Sequence, residues 1–437
     1  MGFFLTNQKM KTESKKLTYI FNGIEFIDLN CLKFAVENKA FRKDTYEYLV
    51  NSCLKKNHKS NLLPLTTFKE FLKKYPKKKP CWCLSNSSFI DCHFNKEQEA
   101  KLSKNDQFKL IKKNFEYKEC LHKNVSPCSD LIIKAHSISR TDSLQSVSKY
   151  NHVYGMKIDF NGLNFSKIGT KIASTFTCFC EKHDGLIFSS FEKINFEKTS
   201  KQLFDLCYRA ICIEYNTMQS VINLFTLSKE HIDNSENILN QIRLQITKNS
   251  QIDFYKLGIK YSNYYKTKME NIYKKASYEN LLNHYIFELS DEYPKFQSSS
   301  CFNLNIDLEG NYLQDLDNPN IQSKNVFLNC ITLNGRGYFI LSWFVENDSY
   351  GQQIIKSIIN KPQQIEDKLF TLIFLYIHNT YASPEWYENL TKEQIIQVNA
   401  LQSFWNETDK FSTDMICSNF DSIKVNEHGY YKNTLSF

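Results

Sequence analysis

Four residues able to grip a soft cation crowd into residues 81–93: Cys81, Cys83, Cys92 and His93, within "PCWCLSNSSFIDCHF". Thiolate sulfur and imidazole nitrogen are the donors of tetrahedral zinc sites, and a tight turn can present two of them to one ion. Cys81-x-Cys83 supplies one such pair and Cys92-His93 the other, so the spacing predicts a zinc knuckle. The competing reading, scattered buried thiols of a Cys-rich chain, leaves the spacing to accident. Of the 14 cysteines and 10 histidines, seven and five lie between residues 81 and 183. In a reducing compartment that density argues for thiols and metal sites over disulfides.

A second concentration follows in "ECLHKNVSPCSDLIIKAHSISRTDSL" and, after a gap, "IGTKIASTFTCFCEKHDGLIFSSFE". The run "LIIKAHSI" is β-rich and sets His136 at the end of a short buried strand. Cys180 and His183 are three apart, the spacing that brings two side chains to one helix face. His152 and Cys178 are read as taking no chemical part. Arg140 and Arg209 could contact phosphate, although an Arg near a helix is more often an ion-pair partner.

The pattern C-x-C-x8-C-[CH] resembles the SEC-C zinc motif, with "LSNSSFID" between the ligand pairs keeping Ser85 and Phe89 but not the family's glycines or basic residues. That resemblance implies a small metal-stapled surface for proteins or nucleic acid. The second pair of segments resembles the ββα-metal fold of HNH nucleases. The whole stretch is similar to a group of bacterial proteins that join a SEC-C knuckle to "C-L-H…C…AHSI…TF-x-FC-x-x-HD…F…E". The likeness covers roughly residues 78–215, and more loosely "YFILSW" and "SPEWYENL".

Carried over residue by residue, the resemblance makes His136 the general base that takes a proton from water. His183 or Asp184 becomes the helix-borne ligand of a catalytic Mg²⁺ or Mn²⁺, with Glu192 as a further acidic candidate. Cys120, Cys128 and Cys180, with His183 or His122, would form a second structural zinc site. The position before His136, an Asp in many HNH enzymes, is Ala135. Ser174 stands near the place of the family's central Asn, and Asn151 is the nearest Asn. A role in bacterial defence is what the resemblance suggests.

The elements that must position these groups are legible from composition and period. The chain has 437 residues, 42% of them hydrophobic, with only 12 Gly and 8 Pro, as expected of globular domains with long elements. Basicity is uneven: residues 1–120 carry 24 of the 55 Lys+Arg against 13 of the 47 Asp+Glu. The densest part is "FLKKYPKKKPCWC", residues 71–83, whose natural partner is a nucleic acid, unless it is simply a solvated face. The opening residues lack a secretory leader, and the longest apolar run, "LFTLIFLYI", is far short of the roughly 18 residues that a membrane span needs. A cytoplasmic protein without membrane contact is expected.

The fold class read from these patterns is α+β. It comprises a basic helical lead (1–75), the SEC-C-like knuckle (76–100), an HNH-like zinc and metal domain (110–200), a helical segment (201–292) and a C-terminal α+β domain (293–437). Tyr255, Tyr261, Tyr264 and Tyr265 fit an interhelical stripe better than a base-stacking platform. "NVFLNCITLNGRGYFILSWF" predicts an antiparallel hairpin about Asn334-Gly335. No phosphate-binding Gly-rich loop, dinucleotide fingerprint or G-x-S-x-G elbow is present, which removes support for ATPase, dehydrogenase and serine hydrolase readings. The leading expectation is a zinc protein that engages nucleic acid and cleaves phosphodiesters as an HNH-like endonuclease. The rival is a non-catalytic adaptor, with one or two structural Zn²⁺, docking a protein, ribosome or nucleic-acid partner. A subunit that works through its C-terminal sheet is the third reading.

Overall fold

The computed structural model describes residues 18–21, 24–37, 41–54, 62–85, 87–100, 103–129, 131–159, 162–231, 237–290, 294–316, 318, 320–403 and 411–431. Of the expected N-terminal lead, residues 1–17 lie outside that set. The described residues form two compact units, each built from two stretches of sequence: those within 7–116 with 220–256, and those within 117–219 with 257–437.

In the first unit, strands β1 (Thr18–Phe21), β2 (Ile24–Asp28) and β3 (Leu62–Pro64) make an antiparallel ribbon beside helices α1 (Leu29–Glu37), α2 (Lys43–Leu54) and α3 (Leu65–Lys74). The short α4 (Phe89–Cys92) and α5 (Lys104–Asn114) follow. Helix α3 shows why the sequence folds this way. Phe68 and Leu72, four apart, are buried, while Lys69 and Lys73 on the neighbouring rows are exposed. The core gathers Ile27, Phe41, Leu63, Phe68 and Trp82 with Ile242 from the distant second stretch.

The second unit begins with β4 (Ala135–His136) and a π-helical turn (Arg140–Leu144) that runs into α6 (Gln145–Val147). Strands β5 (His152–Asp159), β6 (Gly162–Gly169) and β7 (Thr175–Phe176) precede α7 (Glu181–Glu192). Two long helices, α8 (Ser200–His231) and α9 (Ile238–Lys275), each divide between the units at Gln219 and Leu257. Then come β8 (Leu282–Leu289), β9 (Phe296–Phe302), β10 (Val326–Leu333), β11 (Arg336–Phe344), α10 (Asp348–Ile359) and α11 (Ile365–Tyr376). The chain continues through β12 (Thr380–Ala382), α12 (Pro384–Glu388) and α13 (Lys392–Ser403) to β13 (Val425–Tyr431).

Eight strands form one sheet in the order β13-β8-β11-β10-β9-β12-β5-β6, with every neighbouring pair antiparallel. The mixed fold with a large antiparallel sheet agrees with the α+β expectation. The hairpin about Asn334-Gly335 is present as β10–β11, with Leu333 opposite Arg336. Both turn residues take left-handed φ values, 49° and 75°, as a two-residue type I′ turn requires. Strand side chains alternate between two cores. Val326, Leu328, Phe339, Leu341 and Trp343 join residues of α10 and α11. Phe327, Ile331, Tyr338, Ile340 and Phe344 join residues of α7 and α8. Gly351 in α10 is required by close approach: a Cβ there would stand 2.1 Å from the Trp343 ring.

Strand β9, "FQSSSCF", is buried throughout although its centre is polar. Its groups are satisfied internally, as burial demands. Ser298 meets Thr380 at 2.9 Å, Ser299 donates to Asn329 at 2.8 Å and Ser300 donates to Glu214 at 2.6 Å. Of the four tyrosines expected to line α9, Tyr255, Tyr261 and Tyr265 are buried and Tyr264 is exposed. Among the described residues no helix is long and apolar enough to cross a membrane.

Candidate metal centres

In the first unit, α3 ends at Lys74 and buried Tyr75 turns the chain into the exposed segment Pro76–Pro80. A narrow turn follows. The Cys81 N–H donates to the Ser87 carbonyl at 3.0 Å, Phe89 N–H to Lys79 O at 2.8 Å, and Leu84 takes a left-handed φ of 63°. This turn carries Cys81 and Cys83. Helix α4, capped by Ser88, returns Cys92 and His93 to face them.

The four donor atoms all lie within 4.8 Å of one another. His93 Nδ1 is 3.2 Å from Cys81 Sγ and 3.1 Å from Cys92 Sγ, and the Cys83 and Cys92 sulfurs are 3.5 Å apart. With zinc–sulfur bonds of about 2.3 Å and a zinc–nitrogen bond of about 2.0 Å, a tetrahedron separates its ligand atoms by roughly 3.5–3.8 Å. These three separations lie within a few tenths of an ångström of that range. Ser85 donates to Cys92 Sγ at 3.1 Å, an outer-shell contact of the kind that orients a ligand. Trp82, fully buried, stacks on Phe41 with ring centroids 5.7 Å apart and lies 4.4 Å from the His93 ring. Arg42 fixes the same turn from outside, its Nε donating to Cys81 O at 3.1 Å. Hydrogen bonds from the Cys81 and Cys92 thiols hold Cys83 well below the ordinary thiol range, and contacts with Cys83 and Cys92 push Cys81 far above it.

The second unit holds the other centre. Cys120 is fixed beside Cys178 by the Leu121 N–H to Cys178 O bond at 2.9 Å, and Cys128 follows on an exposed loop. Cys180 caps the N-terminus of α7, and His183 lies one turn further on. These four donors also fall within 4.8 Å of one another. His183 Nδ1 lies 3.2 Å from Cys120 Sγ, 3.4 Å from Cys180 Sγ and 3.8 Å from Cys128 Sγ. Burial pushes the Cys120 thiol up to about 12. Burial also opposes ionisation of Cys180, but hydrogen bonds from the Ser129 hydroxyl and the His183 backbone bring it down to about 7. A capping position at a helix N-terminus favours thiolate in the same direction.

His122, the alternative fourth ligand, is turned elsewhere: its Nδ1 lies 3.0 Å from the Tyr208 hydroxyl. Burial, then the neighbouring His183, lowers its pKa to about 3. Both centres are Cys3His sets compatible with zinc, and they are the two groups among the described residues whose donors could grip one ion.

The residues expected to be catalytic belong to the same unit as the second centre and form no third such group among the described residues. His136 on β4 pairs with Thr175 of β7, and its Nδ1 lies 3.2 Å from Ser174 Oγ. Burial lowers its pKa. Asp184 in α7 is raised to about 6 by burial, partly offset by Arg209, and its Oδ1 is buried without a hydrogen-bond partner. Glu192 is engaged by Arg209 Nη2 at 2.5 Å, and that guanidinium lies 4.0 Å over the Phe188 ring. Arg209 is thus an ion-pair partner, while Arg140 is exposed at the start of the π turn.

The outer-shell residues Ser85, Ser126 and Ser129, together with Ser174, were not assigned roles from the sequence. Their only signal is a hydroxyl next to or within a cysteine loop. Ser174, with a left-handed φ of 57°, meets His136 Nδ1 through its hydroxyl at 3.2 Å. Comparison with protein-family models, curated proteins and solved structures returns no match to this chain.

Proposed function

We propose that this chain is a zinc-stabilised nucleic-acid-binding protein. The observation that carries the reading is the joining, at one place, of a Cys3His donor set with a run of exposed cations: Lys73, Lys74, Lys77, Lys78 and Lys79. Lys77 lies 4.2 Å over the Phe94 ring and Lys79 5.7 Å over Tyr48. Their ammonium groups sit over aromatic faces at cation–π distance while the side chains remain exposed. Zinc would rigidify the turn that displays these charges, and Lys contacts to phosphate would supply sequence-independent, salt-dependent affinity.

The test is fluorescence anisotropy of labelled DNA and RNA across a salt series. The triple variant Lys77→Gln/Lys78→Gln/Lys79→Gln should bind more weakly, with a shallower salt slope by about 2–3. A wild-type protein that binds no nucleic acid at low salt would sink the reading.

A second reading, phosphodiester hydrolysis, is favoured by one arrangement. A two-strand ladder bearing His136 leads into a helix bearing Asp184 and Glu192, with a Cys3His set at the helix start. His136 would take the proton from the attacking water, and an added Mg²⁺ or Mn²⁺ would balance charge on the phosphate. His136→Ala should abolish metal-dependent cleavage while leaving zinc content unchanged. Cleavage that survives the substitution excludes the role. If the wild type does not cleave, the adaptor reading stands, in keeping with Glu192 being occupied by Arg209.

A further inference from the structure

The first unit contains a cavity of about 250 Å³ directly beside the first metal centre, with His93 in its wall. Lys69 and Lys73, one turn apart on α3 and both exposed, stand on one rim. Asn95 and Gln98, also exposed, stand in the wall with them. Buried Phe89 and half-buried Phe94 supply aromatic surface. No carboxylate lines the cavity among the described residues.

We propose that this cavity takes one nucleotide of a single-stranded nucleic acid. The inference rests on the nucleic-acid reading above and specifies its ligand and its place. Two ammonium groups, with no carboxylate among the described lining residues, suit a phosphodiester. Side-chain amides both donate and accept, so they can meet base edges, and an aromatic wall suits a base face. Size decides the strand state. A site somewhat below the usual 300–1,000 Å³ range of small-molecule pockets holds about one nucleotide unit. A base can enter such a recess only when it is out of a duplex stack. His93 joins the cavity to the metal centre, so zinc loading would fix the wall that the nucleotide meets.

The experiment uses the full zinc-loaded chain and three fluorescein-labelled probes: a 12-mer of oligo(dT), a 12-mer of oligo(rU) and a mixed-sequence blunt DNA duplex. Wild type should bind the single strands more tightly than the duplex. Lys69→Gln/Lys73→Gln should weaken single-strand binding by about tenfold and reduce the salt slope by about 1.4, two contacts at about 0.7 each. Phe94→Leu should weaken it with the slope unchanged. Lys113→Gln, exposed on α5 of the same unit and outside both the cavity and the lysine run, serves as the charge control, and zinc per chain is measured for every variant.

Equal loss in Lys113→Gln and in Lys69→Gln/Lys73→Gln, or tighter binding of the duplex, overturns the proposal while leaving nucleic-acid binding intact. Unchanged affinity in Lys69→Gln/Lys73→Gln does the same. No binding of any probe by wild type removes both readings together.

Discussion

Ser126 Oγ lies 2.6 Å from Nε2 of His183, while the opposite ring nitrogen faces the sulfurs of Cys120, Cys128 and Cys180. With a cation held at Nδ1, the hydroxyl would accept the Nε2 proton, the outer-shell device that sets the tautomer of a ligating histidine. Ser126→Ala should weaken zinc at this centre by about 10- to 100-fold and leave the first centre unaffected. Competition with a chromophoric chelator would resolve the two sites as separate phases. A single unchanged phase would show that Ser126 does not orient the ring.

Purified protein should hold close to two zinc ions per chain. Cys81→Ser/Cys83→Ser and Cys180→Ser/His183→Ala should each lower the content to one, measured by elemental analysis. Because such sites couple metal affinity to folding, stripping zinc should lower the thermal midpoint, and adding it back should restore the midpoint. Zinc content that ignores either double substitution would remove that cluster from the metal sites.

His284 is buried in β8 with Nδ1 2.7 Å from Ser342 Oγ, and burial lowers its pKa to about 4. An unfolded histidine titrates near 6.5. The unfolded chain thus binds the proton first, so the contribution of neutral His284 is fully present above about pH 6.5. It is lost as the pH falls toward about 4, at most on the order of 3 kcal/mol. Urea unfolding of wild type and His284→Gln between pH 7.5 and 4.5 should show a shallower acid loss in the variant. Parallel curves would mean that His284 is not the group responsible.

Gly351→Ala places a methyl group inside van der Waals reach of Trp343, at 2.1 Å from its ring. Trp343 is fully buried between β11 and α10, so neither partner can yield cheaply. The substitution should cost at least about 3 kcal/mol, or leave the chain insoluble. A stability within about 1 kcal/mol of wild type would show that α10 can slide.

What was legible in the sequence followed distance along the chain. Cys81, Cys83, Cys92 and His93 are close in sequence, and one turn with one short helix suffices to bring them together. The Asn334-Gly335 turn was equally local. The choice between His183 and His122 was not readable, because it depends on Tyr208, 86 residues from His122, which takes up the His122 nitrogen. Strand β9 was hidden for a related reason. Its serines fit a strand only because Asn329, Thr380 and Glu214 arrive from elsewhere to satisfy them. The pairing of β5 with β12, Gly155 opposite Tyr381, has no signature in either segment alone.

The interrupted make-up of the first unit constrains how the protein is made. Its core includes Ile242, fully buried with Phe68 and Trp82, yet all of Tyr117–Gln219 is synthesised in between. A nascent chain that has emerged as far as the first cysteine cluster therefore lacks part of its own interior. At about 5–20 residues per second, roughly ten to thirty seconds of translation separate the lysine-rich helix α3 from the segment that completes its packing. During that interval its apolar side is open to chaperones or to wrong partners. For the same reason the unit cannot be grafted onto another protein by moving residues 1–116 alone.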